Sequence, residues 1–98
     1  MHGPTLDDLR KRRDEILALT NRHGASNVRV FGSVARGDAH PDSDLDFVVD
    51  FDAGRSLMDH GELVMDLEEA LGRRVDVVSA RGLRDRFRDR IFADAVLL

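Results

Sequence analysis

With 98 residues, the chain is long enough for one domain with a modest core and too short to divide into several. Its 19 acidic against 15 basic side chains, a formal net charge of −4, argue against a general nucleic-acid binder, which presents a basic surface. There is no cysteine, so no disulfide, consistent with a reducing cytoplasm, and no apolar run exceeds four residues, so neither a signal peptide nor a membrane span is predicted.

The first predicted element is a helix beginning at Thr5, which can cap the first turn while Asp7 and Asp8 face the positive end of the helix dipole. Leu6, Leu9, Ile16, Leu17 and Thr20 fall on or near one stripe, and Gly24 supplies the stop. Arg10, Lys11, Arg12 and Arg13 form a basic cluster in its middle. This cluster reads as a solvated face, with contact to a nucleotide or an acidic partner as the alternative.

A short strand over residues 28–31 follows and ends at Gly32, where the backbone can turn tightly and approach another group closely. The N–H groups of Gly32 and Ser33 and the Ser33 hydroxyl suit phosphate oxygens, the more so if residues 34–36 form a helical turn whose N-terminus points at them. Arg36 can add a bidentate cation to the same phosphates. Gly37 then releases the chain into a loop of turn formers, Pro41, Asp42 and Ser43.

Beyond the loop the pattern alternates. Leu45, Phe47, Val49 and Phe51 share one face of a second strand, and Asp44, Asp46, Val48 and Asp50 share the other. Residues two apart on a strand point the same way, roughly 6 to 7 Å apart at the backbone, so Asp44 and Asp46 can converge on one ion or a pair. All-oxygen ligation of that kind favours Mg²⁺ over zinc. A crossover helix is announced by Ser56 with Asp59 three residues on, carries Leu57, Val64, Leu67 and Leu71 as its core stripe with Leu63 and Ala70 in support, and ends at Gly72. Gly61 weakens its middle, so a break near His60 is plausible. Residues 74–78 form a third strand on which Asp76 faces away from Val75 and Val77. If the second and third strands are neighbours, three aspartates meet beside the Gly-Ser turn.

In the last segment Leu83, Phe87, Ile91 and Ala95 recur at four-residue spacing, and residues 95–98 are apolar on every side. They either close the core or form a patch covered by a partner. His2, His23, His40 and His60 show no metal spacing and read as surface residues.

Gly32-Ser33-x-Ala35-Arg36-Gly37, then Ser43-Asp44-x-Asp46, then a lone Asp76 on a later strand, resembles the nucleotidyltransferase superfamily that includes DNA polymerase beta. At this length the chain most resembles the minimal nucleotidyltransferases (MNT) of HEPN/MNT toxin-antitoxin pairs. The resemblance covers most of the chain. It implies an α/β fold, with residues 1–98 a single domain: a small mixed sheet of three or four strands flanked by helices, with the site at one sheet edge. It also implies that Gly32 and Ser33 hold nucleotide phosphates, that Asp44 and Asp46 bind both metals, and that Asp76 binds one metal and helps activate the attacking hydroxyl. The implied reaction is attack of a hydroxyl on the α-phosphorus of ATP with loss of pyrophosphate, assisted by two Mg²⁺ ions roughly 3.5 to 4 Å apart. The implied acceptor is a tyrosine of a HEPN ribonuclease toxin, bound in a cytoplasmic hetero-oligomer. Two alternatives stand beside it: a non-catalytic or nucleotide-sensing antitoxin acting by occlusion, and, further off, a small-molecule transferase of the aminoglycoside-modifying kind.

Overall fold

The structure, a computed structural model, describes residues 2–98. Thr5 opens the first helix through a reciprocal capping box, its Oγ1 accepting from the Asp8 N–H at 3.1 Å and Asp8 Oδ2 accepting from the Thr5 N–H at 3.0 Å. The single helix expected up to Gly24 is two, α1 (Leu6–Lys11) and α2 (Arg13–Arg22). Arg12 leaves helical geometry at φ −109°, and its guanidinium reaches both Glu15 and the Ala70 carbonyl at 2.5 Å. Part of the basic cluster thus ties elements together: Arg10 likewise donates to the Leu97 carbonyl at 3.0 Å.

Four strands follow: β1 (Ala25–Phe31), β2 (Leu45–Phe51), β3 (Val75–Ser79) and the short β4 (Val96–Leu97), in the spatial order β3-β2-β1-β4. β1 starts earlier than its apolar residues suggest, because its first half holds a bulge. Asn27 sits at φ +53°, the register shifts between Ser26 and Arg29, and the Asn27 amide donates to Asp50 at 2.9 Å. β1 runs antiparallel to β2 and β4, whereas β2 and β3 are parallel, as a helical crossover requires.

That crossover is α4 (Leu57–Leu71), preceded in the chain by the short helix α3 (Gly32–Arg36). Ser56 and Asp59 form its capping box and Gly72, at φ +65°, ends it. No break occurs at His60 or Gly61. At 100° per residue, positions 60, 63, 64, 67 and 71 share the inward stripe and Leu57 falls at its margin beside Val64; in the first turn it is His60 that takes the core-facing place. The His60 ring lies 5.3 Å from that of Phe51 and its Nε2 meets the Val77 carbonyl at 2.6 Å, while Leu57 is 86% exposed. Leu57 is therefore no part of the core, and His60 is no simple surface residue. Neither is His23, which is buried with Nε2 2.6 Å from Asp66.

The core lies between the sheet and the helices α1, α2 and α4, built from Leu9, Ile16, Val28, Val30, Leu45, Phe47, Val49, Leu63, Leu67, Val75 and Val77. The opposite face of the sheet carries Phe31, Asp46 and Asp76 at one level. It is covered in part by the last helix, α5 (Asp85–Asp94), which touches β1 and α3 yet buries no residue of its own. Phe92 of α5 lies between two guanidinium groups, Arg29 at 4.9 Å and Arg88 at 5.0 Å from its ring centre. Of the apolar terminus, Leu98 closes the core and donates its N–H to the Val28 carbonyl at 3.1 Å, and Leu97 stays exposed on the edge strand. No helix among the described residues is long and apolar enough to cross a membrane.

Candidate active site

The site is assembled where β1 ends and β2 and β3 begin. β1 runs out at Phe31 and the chain turns at Gly32, which adopts φ +73°. An added Cβ there would lie 2.3 Å from Asp46 Oδ2, so this position needs glycine for its conformation and for the approach of the carboxylate. Ser33 begins the turn of α3, and Gly37 at φ +82° closes it, its N–H bonded to the carbonyls of Ser33 and Val34. The loop that follows is tied down locally: Ser43 Oγ accepts from the His40 N–H at 2.8 Å, and Arg73 donates to the Pro41 carbonyl at 2.6 Å.

The strand register does the rest. Asp46 stands opposite Phe31 across the antiparallel pair and opposite Asp76 across the parallel one, so a single row crosses the sheet as Asp76, Asp46 and Phe31, with Gly32 the next residue along the chain. Asp44 lies just before β2, exposed, with one oxygen 3.8 Å from Arg74 Nε. Asp46 is half-buried, and its carboxyl is pushed up to about 6 by burial first, then by Asp76 and Asp44, with Arg36 pulling it back. A carboxylate whose ionised form is disfavoured by burial and then by like-charged neighbours is a place where a cation would be stabilising. Among the described residues, no three acidic or histidine side chains converge closely enough to hold one ion as they stand. The three aspartates share an edge, not a closed cage.

Arg36 is exposed, yet two carboxylates hold its guanidinium. Its Nη1 donates to Asp94 Oδ2 of α5 at 2.9 Å and its Nε to Asp38 Oδ2 at 3.3 Å; Asp94 first and Asp38 second hold the guanidinium more firmly protonated than usual. Asp94 was not visible as a site residue from the sequence. The available signal was an acid in the last turn of a helix, where the exposed carbonyls disfavour it. A concavity of about 410 Å³ between α2 and β1, lined by Leu17, Thr20, Asn27 and Val28 among others, holds none of these residues. The carboxylate row lies elsewhere, at the starts of β2 and β3.

A glycine-serine turn beside an acidic row at the edge of a mixed sheet is the arrangement of an enzyme that handles polyphosphates. The chain belongs to the nucleotidyltransferase domain family, whose model matches residues 9–98. It is 40% identical over 78 residues to the protein adenylyltransferase MntA of Thermococcus cleftensis, covering 80% of this chain and 79% of that protein. A solved structure described as a candidate minimal nucleotidyltransferase is 54% identical, with a TM-score of 0.85 over 97% of both chains. The fold is also that of a chain in a Shewanella oneidensis complex of a tri-AMPylated HEPN toxin with an MNT antitoxin, with a TM-score of 0.70 at 19% identity over 90% of this chain and 69% of the matched one.

Proposed function

We propose that this nucleotidyltransferase moves AMP from ATP to a hydroxyl of a partner protein, a tyrosine of a HEPN-type toxin, and so acts as that toxin's antitoxin within a hetero-oligomer. The observation that carries the reading is the in-register pairing of Asp46 with Asp76 beside Gly32. It is supported by the name of the T. cleftensis relative and by the toxin-antitoxin complex that shares the fold.

The residues fit divalent cations: an all-oxygen donor set, with one carboxylate whose ionisation its neighbours oppose. Asp44, Asp46 and Asp76 would hold two Mg²⁺ ions, which supply charge neutralisation of the attacking and leaving oxygens. Gly32 and Ser33 offer N–H groups and a hydroxyl to the phosphates, and Arg36 adds a fixed positive charge at the same edge. Asp76, exposed beside Asp46, would accept the proton of the incoming hydroxyl. The new bond joins that oxygen to the α-phosphorus, and the bond from the α-phosphorus to the pyrophosphate oxygen breaks. Residues 1–98 act as one transferase domain, and the partner supplies the acceptor hydroxyl.

The test is stoichiometry. A catalytic amount of the chain with ATP and Mg²⁺ is expected to add AMP to the partner, seen as a mass increase that persists after separation, while the Asp44→Asn, Asp46→Asn double variant adds nothing. Equal neutralisation by that variant at equal dose, with no mass change in either case, would overturn transfer in favour of occlusion.

A further inference from the structure

Asp94 lies far from the Gly-Ser motif in sequence and belongs to a helix that buries no side chain, yet it makes the shorter of the two carboxylate contacts to Arg36, 2.9 Å against 3.3 Å from Asp38. It is also the better shielded of the two, with a side chain 31% exposed against 63%. Nothing local to α5 accounts for it. An acid in the last turn of a helix faces the partial negative charge of the free carbonyls, and that last turn holds no basic residue to offset it. Asp94 is therefore explained by what it touches across the fold, not by its own helix.

What it touches is the one arginine of the Gly-Ser turn. A guanidinium has five N–H donors in a planar fork. Asp38 takes the Nε donor and Asp94 takes one at Nη1, on opposite flanks of the fork, so the guanidinium is held at two points while the donors of Nη2 stay uncommitted to either carboxylate. Arg36 belongs to α3, which packs against both α5 and β2, the strand that carries Asp46. The turn thus links α5 to the carboxylate row.

We propose that Asp94 is a positioning residue for nucleotide binding: it holds the Arg36 guanidinium in place so that its free Nη2 donors meet the phosphates of ATP, linking α5 to the site. This rests on the reading of Arg36 as a phosphate contact. A restrained arginine loses less rotamer freedom when it binds than a free one does.

Simple charge and positioning predict opposite signs. Deleting a carboxylate near an anion site should tighten ATP binding through charge alone, whereas loss of positioning should weaken it. The probe is Mg·ATP, titrated calorimetrically into the wild-type chain, Arg36→Ala, Asp94→Asn, Asp94→Glu and the Arg36→Ala, Asp94→Asn double variant, each first checked for unchanged circular dichroism. Arg36→Ala is expected to weaken binding by about tenfold, the scale of one charge-assisted hydrogen bond. Asp94→Asn is expected to weaken it by about threefold or more, Asp94→Glu to restore part of that, and Asp94→Asn to change nothing further once Arg36 is alanine. Additive losses in the double variant, or an Asp94→Asn variant that binds as well as or better than wild type while Arg36→Ala is impaired, would overturn the positioning role and leave the phosphate role of Arg36 standing. Unchanged affinity in Arg36→Ala would overturn both.

Discussion

The backbone at Gly32 and the carboxylate of Asp46 occupy one another's space, and this makes a single side-chain methyl the sharpest probe of the site. Gly32→Ala puts a Cβ 2.3 Å from Asp46 Oδ2 and holds an L-residue at φ +73°. A cost of about 1–3 kcal/mol in stability is expected for the strained backbone alone, with transfer lost because Asp46 must move. Gly37→Ala is the control: its φ is +82° but an added Cβ meets nothing within 4 Å, so it should share the strain and keep the site. Chemical denaturation and transfer assays on the pair check this. Equal loss of transfer in both would assign the Gly32 effect to strain. A second contrast separates binding from chemistry. Ser33→Ala removes a proposed phosphate contact and should mainly weaken Mg·ATP binding, whereas Asp76→Asn, exposed and directly opposite Asp46, should leave binding largely intact and abolish transfer. Near wild-type turnover in Asp76→Asn would remove that residue from the mechanism.

Two helices start with reciprocal capping boxes, Thr5 with Asp8 and Ser56 with Asp59, and in both the backbone N–H of the cap holds the acid in its ionised form and its pKa down. Thr5→Ala and Ser56→Ala should each cost about 1 kcal/mol, measured by urea denaturation. Leu57→Ser, one residue into α4 but 86% exposed, should cost almost nothing. Caps, glycine stops and period-two alternation are local, and they made the site motif and most strands and helices readable before any coordinates. The partners of those elements were not readable. Arg12 breaks the first helix because it reaches Ala70, His60 takes the inward place in α4 because Val77 and Phe51 lie there, and Asp94 meets Arg36 across 58 residues. Each is a long-range contact that leaves little mark on its own stretch of chain. The pairing of Asp46 with Asp76 was conditional for the same reason: alternation assigns a face to a side chain but not a neighbour to a strand.

At the scale of the whole molecule, the acidic edge should make stability depend on pH and cation in opposite senses to the rest of the surface. Asp8, Asp50 and Asp59 have carboxyls held below the usual range, so the stability they contribute is present above their unfolded value near 3.8 and is lost as pH falls further. Asp46 works the other way. Its folded value is raised from 3.8 to about 6, so its contribution is full below 3.8 and is lost as pH rises through about 6. Comparing wild type with Asp46→Asn isolates this group, since the other three carboxylates are common to both. Without divalent cations, the wild type should lose stability relative to the variant between about pH 4 and pH 7, ending as the less stable of the two at neutral pH, measured as the difference in Tm across a pH series. A ligand that binds only the native state stabilises it, so on the proposed reading Mg²⁺ with ATP should raise the wild-type Tm at neutral pH, the cation offsetting the cost of ionising Asp46. It should do little to the Asp44→Asn, Asp46→Asn variant. A wild type that tracks Asp46→Asn at every pH, or an equal rise with Mg²⁺ and ATP in the double variant, would show that the carboxylate row is not where the cation acts.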